Sequence, residues 1–136
     1  MEYLNTKKTL LVVEDDKGWT LILKHMLKNR NVEAIYAETG EEALQLIDDR
    51  EDVSCVFLDV SLGDGISGLE LGALLKTKQD FKDTPMIAMT AHDERVIGDY
   101  EEVGFTGYLQ KPYSLDQLGD LLDTHHLDNR TAIHLN

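Results

Sequence analysis

Residues 56–68, VFLDVSLGDGISG, begin as an apolar run, stop at the carboxylate of Asp59 and then break into a segment holding three glycines. Together with the preceding Val53, Ser54 and Cys55, the run has the length and composition of a strand buried on both faces, and the glycines mark a loop. Asp59 is therefore carried to the end of a strand and left beside a loop. Working outward, TLLVVE (9–14), VEAIYA (32–37), PMIAMT (85–90) and TGYLQ (106–110) are further short strand-like runs, five with VSCVFLD (53–59). The segments between them carry apolar residues at helical spacing: Trp19, Ile22, Leu23, Met26 and Leu27; Ala43, Leu44 and Ile47; Leu69, Leu71, Leu74 and Leu75. A weaker fourth pattern surrounds Val96, Ile97 and Tyr100. A fifth holds Leu115, Leu118, Leu121 and Leu122, with Ser114 as N-cap and Gln117 three residues on.

Strict alternation of strand and helix predicts right-handed crossovers and a parallel sheet covered by helices on both faces, a (βα)5 α/β domain. Strands one, three and four read as central, whereas VEAIYA, with Glu33 and Tyr36, reads as an edge strand. No repeat, linker or low-complexity segment interrupts the pattern, and the tail HLDNRTAIHLN has little periodicity. A chain of 136 residues, 42% hydrophobic and 29% charged, is one ordinary domain. With 26 acidic and 13 basic side chains its net charge is -13, and no basic patch offsets the repulsion of nucleic acid or anionic membrane. The single cysteine, Cys55, lies in an apolar run and cannot form an internal disulfide. The N-terminus lacks the apolar core of a signal peptide and no stretch approaches a membrane span, so a cytoplasmic protein is expected.

In an open parallel sheet, ligands bind beyond the carboxyl ends of the strands. Strand one delivers Glu14, Asp15 and Asp16 there, strand three Asp59, strand four Thr90, and strand five leads into Lys111. Each has a plain structural explanation when taken alone. The acids can cap the next helix, Asp59 can serve a turn, Thr90 can cap a helix starting near Asp93, and Lys111 can be a solvated surface lysine. Those explanations do not account for acids, a hydroxyl and an ammonium meeting at one end of one sheet. Crowded carboxylates favour proton uptake or a cation, and oxygen-only ligands with few carboxylates suit Mg²⁺ better than Ca²⁺ or zinc. A lysine and a hydroxyl facing that ion suit phosphoryl oxygens, which makes Asp59 a nucleophile and phosphoryl acceptor.

The segments LLVVEDD, AETGEEAL, VFLDVSL, PMIAMTA and GFTGYLQKPY, in this order over residues 8–125, resemble the signature segments of the receiver domain of two-component response regulators. The resemblance implies a flavodoxin-like sheet of order 2-1-3-4-5, flanked by an extension (1–7) and a tail (126–136). It implies that Asp59 is the phosphoacceptor, Asp15 a direct Mg²⁺ ligand, Glu14 the acid holding a metal-bound water, and Ser61 a donor of its backbone carbonyl to the ion. Thr90 matches the switch hydroxyl, Lys111 the phosphate-binding lysine, Tyr108 the aromatic switch residue, and a cis bond is implied between Lys111 and Pro112. The implied partners are a sensor histidine kinase or histidine phosphotransfer protein, and a downstream protein on the face of helix four, strand five and helix five. The implied state is a monomer or a phosphorylation-dependent dimer, and the chain catalyses its own phosphorylation and dephosphorylation rather than turning over a separate substrate.

The loop after the acceptor departs from the family pattern, with Gly63 where a proline is usual and Gly68 one position later than the usual glycine. Asp64 adds an acid that reads as a solvated turn residue. His92, two after Thr90, reads as an exposed helix-start histidine that can alternatively overhang the site, and Trp19, near EDD, reads as a core residue that can also report on the site. His125, His126 and His134 are too loosely arranged for a metal. Three other readings compete. A haloacid dehalogenase-type phosphatase wants a second aspartate where Ser61 stands. A flavin carrier wants a phosphate-cradling loop where EDDKGW stands. A phosphate-independent receiver-like module is disfavoured by a complete set of acceptor-site residue types.

Overall fold

The computed structural model describes residues 7–48, 50–63, 65–91 and 100–128. Asp64, His92, Asp93, Val96, Ile97 and His134, named above, lie outside the described residues. The elements are β1 (Lys8–Val13), α1 (Lys17–Leu27), β2 (Val32–Ala37), α2 (Gly40–Ile47), β3 (Val53–Asp59) and α3 (Gly68–Lys76). They are followed by β4 (Met86–Thr90), α4 (Tyr100–Val103), β5 (Gly107–Gln110) and α5 (Leu115–Thr124). The strands form one parallel sheet of order β2-β1-β3-β4-β5, the flavodoxin-like arrangement, with β2 at an edge.

The period-two alternation of the central strands sends successive side chains to opposite faces. Leu10 and Val12 of β1, Cys55 and Phe57 of β3, and Ile87 and Met89 of β4 pack with Leu23 and Leu27 of α1 and Leu118 and Leu122 of α5. Leu11, Val13, Val56, Leu58 and Ala88 face the other way, onto Ala43 and Ile47 of α2 and Leu71 and Leu75 of α3. This double burial explains why the strands read as continuous apolar runs. It also pushes the Cys55 thiol up to about 12, through burial first, so the thiol stays protonated and packs as an apolar group.

Helix starts follow local chemistry. Asp16 caps α1 by accepting from the Trp19 N–H at 3.0 Å, and Thr39 caps α2 through the Glu42 N–H at 3.0 Å. Ser114 and Gln117 form the anticipated capping box at α5, and Ser67 with Glu70 forms a second at α3. The helical stripes are narrower than the sequence spacing suggested: Ile22, Leu74 and Leu115 are exposed. Ile22 and Leu74 each sit about 100° around the helix from a buried neighbour, Leu23 or Leu75, which places them at the stripe's margin. No helix among the described residues is long and apolar enough to cross a membrane.

Candidate functional site

The sheet's hydrogen bonding continues one residue past three strands, and this positions the polar side chains that follow. The Glu14 N–H donates to the Ala37 carbonyl (3.0 Å), the Val60 N–H to Met89 (3.1 Å) and the Lys111 N–H to Thr90 (2.7 Å). Glu14, Asp59, Thr90 and Lys111 are thereby held at one end of the sheet, all buried, at 3%, 5%, 0% and 9% exposure. The bond between Lys111 and Pro112 is cis.

Carboxylate oxygens of Glu14, Asp15 and Asp59 lie within 4.8 Å of one another. The Lys111 ammonium sits between two of these acids, 2.5 Å from Oε1 of Glu14 and 3.1 Å from Oδ2 of Asp59. The other oxygen of Asp59, Oδ1, accepts from the Ser61 N–H at 2.8 Å, an Asx turn that orients the carboxylate. Asp15 is exposed, and its Oδ2 accepts from the Gly63 N–H at 3.0 Å. Of the three acids after β1, Asp16 thus takes the plain capping role, and Glu14 and Asp15 turn toward Asp59. Thr90 closes β4, and Tyr108 lies half-buried on β5, paired with Ala88 and packed on the α2 and α3 side of the core. Ser61 is exposed at the start of the loop.

Burial raises the Glu14 carboxyl to about 7, and its hydrogen bond to Asp59 and the negative charge there act in the same direction, against the pull of Lys111. Burial alone would lower the Lys111 ammonium, but Glu14 and Asp59 outweigh it and raise it above the ordinary lysine value. Oε1 of Glu14 is buried and accepts no properly directed hydrogen bond, its ammonium contact being one of charge rather than direction. Three carboxylates facing one ammonium leave excess negative charge. All the donors are oxygens and one buried carboxylate oxygen lacks a directed partner, so the residues fit a hard divalent cation such as Mg²⁺.

Two features go beyond the sequence reading. Trp19 packs against the core, as its helical spacing indicates, and its ring also lies against Tyr113 with centroids 5.1 Å apart, with the Lys111 ammonium 5.3 Å from its ring centroid. Its place in the first turn of α1, just past the acids, is the signal for those contacts. The second feature is the seating of the loop: the Ile66 N–H donates to the Glu41 carboxylate at 3.2 Å, tying it to the first turn of α2. A cleft of about 350 Å³ runs along α1 beside Glu14, past Lys17, Lys24, Tyr36 and Glu42. Asp15, Asp59 and Lys111 do not line it, so it neighbours the acid cluster without containing it.

The family model described as the response regulator receiver domain matches residues 10–123. The transcriptional regulatory protein CpxR of Escherichia coli K12 is 36% identical over 108 residues, covering 77% of this chain and 43% of CpxR. The chain thus spans less than half the length of that relative. Among solved structures, a putative response regulator from Chloroflexus aurantiacus is 29% identical with a TM-score of 0.81, over 88% of this chain and 98% of that one. The receiver domain of the sensor histidine kinase PA1611 from Pseudomonas aeruginosa, whose active-site cleft coordinates a magnesium ion, shares the fold at 21% identity and a TM-score of 0.76, over 88% and 97% of the two chains. By family match, identity and sheet order together, this chain belongs to the response regulator receiver domains.

Proposed function

We propose that this receiver domain takes a phosphoryl group onto Asp59 from the phosphohistidine of a sensor histidine kinase or histidine phosphotransfer protein, or from a small acyl phosphate. One oxygen of Asp59 forms the new P–O bond as the donor's bond to phosphorus breaks, the P–N bond of phosphohistidine returning its electron pair to the imidazole and the P–O bond of an acyl phosphate returning its pair to the departing carboxylate. Asp15, Asp59 and the Ser61 carbonyl would hold Mg²⁺, with Glu14 beside them. The ion would supply charge neutralisation on the transferring phosphoryl oxygens.

The chain's own residues do the rest. The Ser61 N–H on Oδ1 and the Lys111 ammonium on Oδ2 together fix the rotation of the Asp59 carboxylate. Lys111, already charged and desolvated, is placed to pair with the arriving phosphoryl group. Thr90 and Tyr108 form the switch: the hydroxyl moves toward the phosphoryl group, the ring turns inward, and the face of α4, β5 and α5 changes for a downstream protein. The protein works in the cytoplasm, as a monomer or as a dimer formed on phosphorylation.

The observation that carries this reading is the buried Lys111 ammonium bridging Glu14 and Asp59 at the mouth of an all-oxygen acid cluster. Intact mass after incubation with acetyl phosphate tests it, on the parent and on Asp59→Asn, with and without Mg²⁺. A Mg²⁺-dependent gain of one phosphoryl group in the parent alone is expected. If neither an adduct nor beryllofluoride binding is found, the chain is a phosphate-independent binding module instead.

A further inference from the structure

Resting on the function proposed above, we propose that Trp19 is a positioning residue for Lys111, an aromatic wall that holds the ammonium over the acceptor site once its acidic partners are engaged elsewhere. Among the described residues, Lys111 meets three groups: the carboxylates of Glu14 and Asp59 and the indole face of Trp19. The two carboxylates belong to the acid cluster, so a divalent cation draws on both, and phosphorylation converts Asp59 itself. Trp19 is the one partner that neither event claims. A cation and an indole face attract through the ring quadrupole, and the attraction grows as water is excluded. Here the lysine side chain is only 7% exposed.

The wall is fixed in place. Trp19 is held by the first turn of α1, where its N–H is capped by Asp16, and its ring stacks on Tyr113 at an interplanar angle of 31°. Tyr113 is buried in the core formed with Leu118 and Leu122. The lysine and the tyrosine lie two residues apart, so one short segment offers an ammonium and a ring to the same indole. An aliphatic residue at position 19 would still exclude water but would present no quadrupole to the ammonium. The role is therefore separable from packing.

The test compares the parent with Trp19→Phe and Trp19→Leu, each first shown to be folded by circular dichroism. The direct readout needs no phosphoryl chemistry: ring current from the indole shifts the Lys111 Hε resonances upfield in the parent, and Trp19→Leu returns them to the ordinary lysine position. The second readout is beryllofluoride affinity at saturating Mg²⁺, with Mg²⁺ affinity measured separately by calorimetry. Trp19→Leu is expected to weaken beryllofluoride binding and slow phosphorylation by about three- to tenfold, with Trp19→Phe between it and the parent, while Mg²⁺ affinity stays within about twofold. Equal behaviour of the Phe and Leu variants, or unshifted Lys111 resonances in the parent, would overturn the assignment. A parent that shows the ring-current shift but takes no phosphoryl group or beryllofluoride would leave the Trp19 contact standing and remove the function on which its purpose rests.

Discussion

A Cβ built on Gly68 would lie 2.1 Å from the Asp59 carbonyl oxygen and 2.5 Å from the Cα of Val60. Both neighbours are backbone, so neither can swing aside as a side-chain tip would. The first residue of α3 is pressed against the strand end that carries Asp59, which is why a glycine stands there although the loop is one residue longer than the family pattern. Two effects oppose each other in Gly68→Ala. Alanine in a helix gains about 1 kcal/mol over glycine, whereas forcing a methyl group into filled space costs about 1–3 kcal/mol. Contact this close with rigid atoms puts the cost at the upper end, and a net loss of about 1–2 kcal/mol is expected in urea unfolding. Phosphorylation of Asp59 should slow with it, because its backbone must shift. A more stable variant would mean that the helix start is not pinned to the acceptor strand.

Elements that share a face are tied together beyond their core packing. Arg30, in the turn between α1 and β2, places Nη1 3.3 Å from Oδ2 of Asp128, which lies past the end of α5, and the Asn31 N–H donates to Oδ1 at 3.3 Å. The Asp128 side chain is 2% exposed, and Leu127 beside it sits in the core shared by α1 and α5. A Cβ on Gly119 would come within 2.4 Å of Nη2 of Arg30, so the guanidinium passes over α5 at its glycine. Removing one partner of a buried ion pair costs about 3–5 kcal/mol, and the partial exposure of Arg30 brings the expected loss for Asp128→Ala to about 2–4 kcal/mol. Gly119→Ala should change stability by less than about 1 kcal/mol, since the helix gain offsets displacement of a flexible arginine tip. Denaturant melts of both variants check the contrast, and equal losses would place the cost in α5 itself. This contact also shows the limit of reading the chain as a string. Strands, the edge position of β2 and the Ser114 cap were legible because their signals repeat over a few residues. The meeting of Glu14, Asp59, Thr90 and Lys111 was legible because parallel strands deliver their ends to one edge. Arg30 with Asp128, Trp19 with Tyr113, and Glu41 with Ile66 join segments far apart in the chain, and helix packing sets them.

For the whole molecule, the acid cluster couples folding to pH. The Glu14 carboxyl ionises at 4.5 in an ordinary setting and at about 7 in the folded chain, mainly because it is buried. Between these values the folded state holds a proton that the unfolded chain has released, so stability falls as pH rises through that window. The full cost, about 3 kcal/mol, is present above about pH 7 and absent below about pH 4.5. A divalent cation held beside Glu14 favours the ionised carboxylate over the protonated one, so its affinity should be weaker by up to about thirtyfold near pH 5.5 than near pH 8. At a Mg²⁺ concentration about a hundred times the dissociation constant near pH 8, the ion should stabilise the fold by about 2.7 kcal/mol there and by about 0.9 kcal/mol near pH 5.5. With a net charge of -13, added salt relieves repulsion as well, so the same melts need NaCl at matched ionic strength as the reference. Glu14→Gln removes the titrating group while keeping its shape, and the metal-free protein should then lose the decline in stability between about pH 5 and pH 7. If the decline persists in that variant, another group in the fold carries the linkage, and Glu14 is ionised in the folded chain throughout.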